Sequence, residues 1–274
     1  MKKLFALLMS LSLILALTAC GESQTDETAS NGDNSTQSEP VELYVFAAAS
    51  MEESLDQVIA DYEAAHEGIT IVPTYDSSGT LKTQIQEGAD CDVFISAAPK
   101  QMNQLDAQGG EENTEGLDFV ASNTRLDLLE NKVTLVVPEG NPKGIESFDQ
   151  LAQLLGNSDV PVGQYTQKIF AYYGLDEAAL ADAQVLSYGS NVKEVATQVA
   201  EAAVDCGVIY ATDAFSEGLT VVDEATSEMC GQVIYPAAVV ASSQHPDEAQ
   251  AFLDYLTTAD AGAVFERVGF TPLN

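Results

Sequence analysis

Basic side chains, histidine and tryptophan are scarce or missing: ten Lys and Arg stand against 43 Asp and Glu, with two histidines and no tryptophan in 274 residues. The formal net charge of −33 excludes nucleic acid and anionic membrane surfaces as partners, since both repel a uniformly negative protein. A small anion is not excluded, because salt screens carboxylates beyond about 8 Å and local donors decide binding within a few ångströms. Only four cysteines occur and none forms a Cys-x-x-Cys pair, so no zinc site is expected. Gly-x-Ser-x-Gly is absent, and neither His66 nor His245 is placed by sequence beside Ser50 or Ser78. An exported serine hydrolase, the alternative from another class, therefore lacks its base.

No apolar run reaches the length of a comfortable membrane span. The longest, Leu4 to Leu17, follows Lys2 and Lys3 and leads into Leu17-Thr18-Ala19-Cys20-Gly21. This reads as a signal peptide over 1–19 ending in a lipobox. Cys20 is then the lipidated first residue of an exported protein, held on the outer face of the cytoplasmic membrane by its lipid anchor only. The segment 20–40 reads as that cysteine plus a disordered leash, because residues 22–39 carry no large apolar side chain. Cys91, Cys206 and Cys230 remain. Export permits a disulfide, and Cys206 with Cys230 is the expected pair, each just before an apolar strand. Cys91 reads as a small buried residue.

From Val41 onward short apolar strands alternate with helices. Strands are expected at Leu43–Ala47, Ile69–Tyr75 and Val93–Ile95, with helices after each; Leu55, Val58, Ile59 and Tyr62 repeat at helical spacing. A second series starts at Val133–Pro138. It continues through helices near Ser147–Gln153 and Gly163–Tyr172, a strand at Val185–Tyr188, a helix at Asn191–Ala203 and strands at Gly207–Tyr210 and Leu219–Val222. An apolar run at Val233–Ala241 precedes two closing helices, Asp247–Leu256 and Ala259–Val268. The alternation is that of an α/β protein with mostly parallel sheets, in two lobes.

Four helix starts stand out. Ser50 with Glu53 matches a capping box, directly after an apolar strand. Ser78 lies in a similar junction, Tyr75-Asp-Ser-Ser-Gly-Thr-Leu81. Val160-Pro-Val-Gly-Gln-Tyr165 places a proline and a glycine at a helix entry, and Asn191 is positioned to cap a helix that begins at Val192. Each alone is ordinary punctuation. Converging, such ends offer amides, hydroxyls and positive dipole ends to an anion. Lys82, Lys168 and Lys193 read as surface charges on helices, and Tyr210 read alone is a core aromatic.

Phe46-Ala-Ala-Ala-Ser50, Ser77-Ser-Gly-Thr-Leu81, Asp92-Val-Phe-Ile-Ser-Ala-Ala98, Leu128-Leu-Glu-Asn-Lys-Val133, Val160 to Tyr165, Asn191-Val192, Gly207 to Asp213, Tyr235-Pro-Ala-Ala-Val-Val240 and Gly269-Phe270 together resemble the molybdate-binding proteins that serve ATP-driven molybdate importers. The order is that family's, and the match covers nearly all of the chain after the leash. The resemblance implies a two-lobed periplasmic-binding-protein fold (type II), with lobe I at 41–130 plus 236–274 and lobe II at 131–235. It implies no enzyme and no cofactor, a ligand that is molybdate or tungstate, and delivery to the transmembrane subunits of an ABC permease by a monomer. Carried over, the oxyanion ligands are the hydroxyls and amides of Ser50 and Ser78, the amides of Val162 and Val192, and the hydroxyl of Tyr210. The metal is held through its oxygens, with no direct protein ligand. Sulfate is the alternative oxyanion. One departure is visible: only Ala152-Gln-Leu-Leu155 separates Leu151 from Gly156, where the family has a further strand.

Overall fold

The computed structural model describes residues 40–150, 161–182, 184 and 186–273. The signal sequence, Cys20, the leash and the short stretch before Gly156 lie outside the described residues.

Strand β1 (Val41–Ala48) runs through a single 3-10 turn at Ala49–Met51 into helix α1 (Glu52–Ala65). Leu43, Val45 and Ala47 of β1 enter one apolar cluster and Phe46 enters another. Such a strand is buried on both faces, and its apolar run is nearly continuous for that reason. Helix α1 buries Leu55, Val58, Ile59 and Tyr62, the stripe read from the sequence. Strand β2 (Ile69–Asp76) lies parallel to β1 at the sheet edge, where Pro73 leaves no partner short of an N–H. Helix α2 (Ser78–Gln86), strand β3 (Val93–Ile95) and helix α3 (Pro99–Leu105) follow.

Strand β4 (Leu126–Asn131) is followed, after Lys132 alone, by β5 (Val133–Val137), which starts a second sheet. Around β5 come α4 (Pro161–Tyr173), α5 (Glu177–Asp182), α6 (Val192–Ala200), β6 (Gly207–Tyr210), α7 (Ala211–Ser216), β7 (Thr220–Glu224) and α8 (Ser227–Cys230). Strand β8 (Val233–Val239) returns to the first sheet, and α9 (Pro246–Leu256), α10 (Ala259–Arg267) and β9 (Thr271–Pro272) close the chain. The strand orders are β2-β1-β3-β8-β4-β9 and β6-β5-β7.

The α/β class holds, but a mostly parallel sheet in each lobe does not. Parallel pairing joins β2, β1 and β3, whereas the smaller sheet pairs antiparallel throughout. A parallel neighbour needs a long crossover. Here β5 takes its direction from β4 across one residue, and it is threaded between β6 and β7, which run the other way. The strand expected at Val185–Tyr188 is not formed at Leu186–Tyr188, and Val185 lies outside the described residues. Those side chains turn to helices instead: the Ser187 hydroxyl donates to Gln198 of α6 at 2.9 Å, and the Tyr188 hydroxyl to Glu177 of α5 at 3.2 Å.

The disulfide between Cys206 and Cys230 is not formed; no two of Cys91, Cys206 and Cys230 are joined, and all three are buried. Cys206 leads into β6, while the Cys230 thiol sits at the end of α8, 3.5 Å from the Gly231 carbonyl. Their burial keeps both thiols protonated, with Cys206 pushed up to about 12.

The approach of α6 to β6 sets the distance between the helix start at Val192 and the strand end at Tyr210. It depends on Gly207, where a Cβ would stand 2.5 Å from Val199 Cγ2 and 3.4 Å from Val195 Cγ1. Gly207→Ala is expected to destabilise the fold by about 1–3 kcal/mol, the usual consequence of overpacking. Urea unfolding that leaves the midpoint unchanged would show that α6 yields freely.

Candidate functional site

Four junctions between strand and helix and the start of α6 meet at one small cavity lined by Ala48, Ala49, Ser50, Asp76, Ser77, Ser78, Ala97, Asn191, Val192 and Tyr210. The first seven belong to elements of the larger sheet and the last three to those of the smaller, so the cavity lies between the lobes. Ser50, Ser78, Val192 and Tyr210 are thus brought together. Val162 is the second residue of α4, and its side chain lies outside the described residues.

Neither serine caps its helix. The capping box expected from Ser50 and Glu53 is absent, since α1 is preceded by Met51 without a side-chain cap. Ser50 is buried in the 3-10 turn, with Oγ 2.8 Å from the Tyr235 hydroxyl. At α2 it is Ser77 whose Oγ accepts the Thr80 N–H, at 3.1 Å. Ser78 is freed from that task, is fully buried, and accepts the Ala97 N–H at 2.9 Å. At α6 the Asn191 Oδ1 accepts the Glu194 N–H at 3.1 Å, leaving the amides of Val192 and Lys193 in the open first turn.

Behind these groups stands a row of aromatics. Tyr210 packs edge-on against Tyr235, ring centres 5.7 Å apart, and Tyr235 against Phe270 at 5.2 Å. The Tyr210 hydroxyl is buried and makes no hydrogen bond of ordinary geometry, although it faces the Tyr235 hydroxyl; burial raises its pKa well above the ordinary phenol value. A phenol that retains its proton is a donor held in reserve. Asp76 is acidic and also lines the cavity, but its Oδ1 accepts the Ser77 N–H at 2.6 Å.

Lys193 is not the solvent-facing charge expected. It is 18 % exposed, and its ammonium pairs with Glu53 and lies 4.0 Å from Glu52, joining α6 to α1. Sequence reading could not pair residues 140 positions apart. It also passed over Asp213, in α7, which is 1 % exposed and has both carboxyl oxygens without a hydrogen-bond partner. Burial pushes its pKa up to about 8, against a smaller downward pull from Lys193 and an upward push from Glu53. The available signal was an acid standing alone in the apolar segment Gly207 to Ala214.

Larger clefts lie elsewhere. One of about 480 Å³ is lined by Asp106, Asp118 and Asp127 with Arg125, and one of about 670 Å³ by Glu42, Asp90 and Asp92. Their carboxylates make them poor hosts for an anion. Among the described residues no group of three His, Cys, Asp or Glu side chains is placed to hold a metal ion.

The family described as bacterial extracellular solute-binding protein matches residues 43–271. The putative ABC transporter substrate-binding lipoprotein YvgL of Bacillus subtilis (strain 168) is 33 % identical over 277 residues, which cover 98 % of each chain. The molybdate-binding protein ModA of Escherichia coli (strain K12) is 29 % identical over 238 residues, 84 % of this chain and 88 % of that one. Among solved structures, the periplasmic molybdate-binding protein of Azotobacter vinelandii superposes with a TM-score of 0.71 at 20 % identity, covering 84 % of this chain and 98 % of that one. At that identity it establishes the fold.

The Asp213 carboxyl has a direct consequence for stability. Its folded pKa of about 8 lies above the ordinary 3.8, so between these values the folded chain holds a proton that the unfolded chain releases. Stability is therefore expected to fall as pH rises through that window and to level off above pH 8. Asp213→Asn removes this slope: melting temperatures from pH 5 to 9 should show the variant gaining on the parent as pH rises, and a constant difference would disprove the assignment.

Proposed function

The chain belongs to the bacterial extracellular solute-binding proteins, and from that premise we propose that its solute is a tetrahedral oxyanion, molybdate or tungstate, held in the cavity at Ser50 and delivered to an ABC permease. A solute-binding protein is not an enzyme, and nothing here requires a catalytic group. The observation that carries the reading is the buried, unpartnered Tyr210 hydroxyl, which lines one cavity with both serines and the open first turn of α6.

The donors are neutral. Ser78 Oγ already accepts from Ala97, so its hydrogen is left for a ligand. With the Ser50 and Tyr210 hydroxyls, the amides at the starts of α2 and α6 and the positive ends of those helices, the site offers hydrogens and little else. A hydrogen bond to a charged group contributes roughly 1.5–3 kcal/mol net. Several together exceed the ~8–12 kcal/mol of micromolar to nanomolar binding, even after ordering costs. Such a site also selects. Phosphate near neutral pH carries a proton that seeks an acceptor, whereas molybdate, tungstate and sulfate carry none, and size then separates the first two from sulfate. The amide of Val162 joins the ligand set by the family resemblance. Lys193 with Glu52 and Glu53 bridges the two lobes.

Export and tethering through a lipidated Cys20 belong to the same reading, supported by the lipobox-like Leu17 to Gly21 and by the name lipoprotein given to YvgL. The permease partner, the monomeric state and the absence of a cofactor are likewise proposed from the family.

Calorimetric titration with molybdate, tungstate, sulfate and phosphate tests the reading. Tight one-to-one binding of the first two and weak binding of the others is expected; silence toward all four by a folded, ligand-stripped protein would overturn it. Ser50→Ala and Ser78→Ala should each weaken molybdate binding roughly 10- to 150-fold, the equivalent of one charge-assisted hydrogen bond. Unchanged affinity in both variants would remove the serines from the site.

A further inference from the structure

A serine hydroxyl can donate or accept, and in a site that selects proton-free anions this freedom is a defect. The structure contains a device that removes it at Ser50. The Lys132 N–H, a backbone donor with one possible role, bonds to Asn131 Oδ1 at 2.8 Å. That contact fixes the orientation of the Asn131 amide, because its other end must then be the NH₂ group. Asn131 Nδ2 in turn donates to the Tyr235 hydroxyl at 3.1 Å and to the Thr212 hydroxyl at 3.0 Å. All four side chains are buried.

The Tyr235 oxygen therefore accepts from Asn131, and its own hydrogen needs an acceptor. Ser50 Oγ, 2.8 Å away, is the acceptor at full hydrogen-bond distance; the Tyr210 hydroxyl also faces Tyr235 but makes no bond of ordinary geometry. Ser50 is left with a hydrogen that has no protein acceptor, and the cavity is where it goes. Were Ser50 to accept from a protonated ligand, that hydrogen would stay buried and unpaired, at substantial cost. We propose that Tyr235 and Asn131 are positioning residues that set the proton direction at Ser50, so that Ser50 serves only as a donor and rejects oxyanions that carry a proton. The inference rests on the oxyanion reading of the cavity.

The relay begins at the crossover between the sheets. Asn131 ends β4, Lys132 is the link, and Val133 starts β5; the Lys132 carbonyl accepts the Ala211 N–H at 2.9 Å, at the end of β6. The proton order at the first strand–helix junction is thus dictated by backbone whose position both lobes share. Sequence reading placed Tyr235 in a landmark segment and assigned it no role, because a contact across 185 residues leaves no local trace.

The test is a double-mutant cycle with two probes, molybdate and inorganic phosphate, on the full chain. Tyr235→Phe keeps the ring packing and removes only the hydroxyl. It is expected to weaken molybdate binding roughly threefold to tenfold, as for one ordinary hydrogen bond. Phosphate binding should weaken less or improve, so the molybdate-to-phosphate preference shrinks and varies less across pH 6 to 8. In a Ser50→Ala background the same substitution should change neither quantity, because its effect passes through Ser50. Equal losses for both anions, or a Tyr235→Phe effect that persists without Ser50, would overturn the relay while leaving the oxyanion site intact. If the parent protein binds neither anion, the oxyanion reading and the relay fall together; circular dichroism melts of each variant confirm that folded proteins are compared.

Discussion

The hydrogen bond between Ser50 and Tyr235 joins the first strand–helix junction of the chain to the strand that returns from the smaller sheet. Much of the site follows from it. It holds Ser50 in the 3-10 turn and away from a capping role, which is why α1 starts at Glu52 without a side-chain cap. It also closes a polar chain through Asn131 to the crossover at Lys132. A buried network of this kind is stable only when each member is satisfied, and the proposed proton order leaves the Ser50 hydrogen for the place proposed for a ligand.

The charge distribution is the second constraint. A chain of net charge −33 binding an anion has to keep its carboxylates away from the cavity or neutral. The structure uses three means. Asp76 is occupied by the Ser77 amide, Glu52 and Glu53 face Lys193, and Asp213 is buried deeply enough to hold its proton near neutral pH. Lys193 is therefore valuable for what it cancels. Its ammonium is taken up by the two glutamates and draws α6 toward α1. Ion pairs of this exposure contribute little on their own. Their worth here is geometric, since the pair ties α6 of the smaller lobe to α1 of the larger one.

How much of this could be read beforehand divides along the range of the interactions. Strand and helix positions in the first lobe followed from apolar runs and period-3.6 spacing, and Ser78 and Val192 stood out at helix starts, whereas Tyr210 read alone was a core aromatic and entered the ligand set only through the family resemblance. Local patterns carry that information. The capping box at Ser50 and Glu53 was a sound local reading that tertiary contacts overrode: Tyr235 took the serine and Lys193 took the glutamate. The antiparallel smaller sheet was missed because strand direction depends on which strand is threaded between which. The expected Cys206–Cys230 bond failed for the same reason, since proximity to apolar strands says nothing about which way a thiol faces. Asn131, Thr212 and Asp213 were passed over because each matters only through partners far away in sequence.

The two serines reach one end by different routes. Ser78 has its lone pair occupied by a backbone amide, Ala97, and so its donor character is fixed by the fold itself. Ser50 has its lone pair occupied by a phenol whose direction must in turn be set by Asn131. The first arrangement cannot be reversed without breaking the backbone trace; the second can be altered by one side chain. Selectivity at this site is therefore more open to change through Tyr235 and Asn131 than through Ala97. A receptor built this way can shift its tolerance for protonated anions by substitutions that never touch the ion.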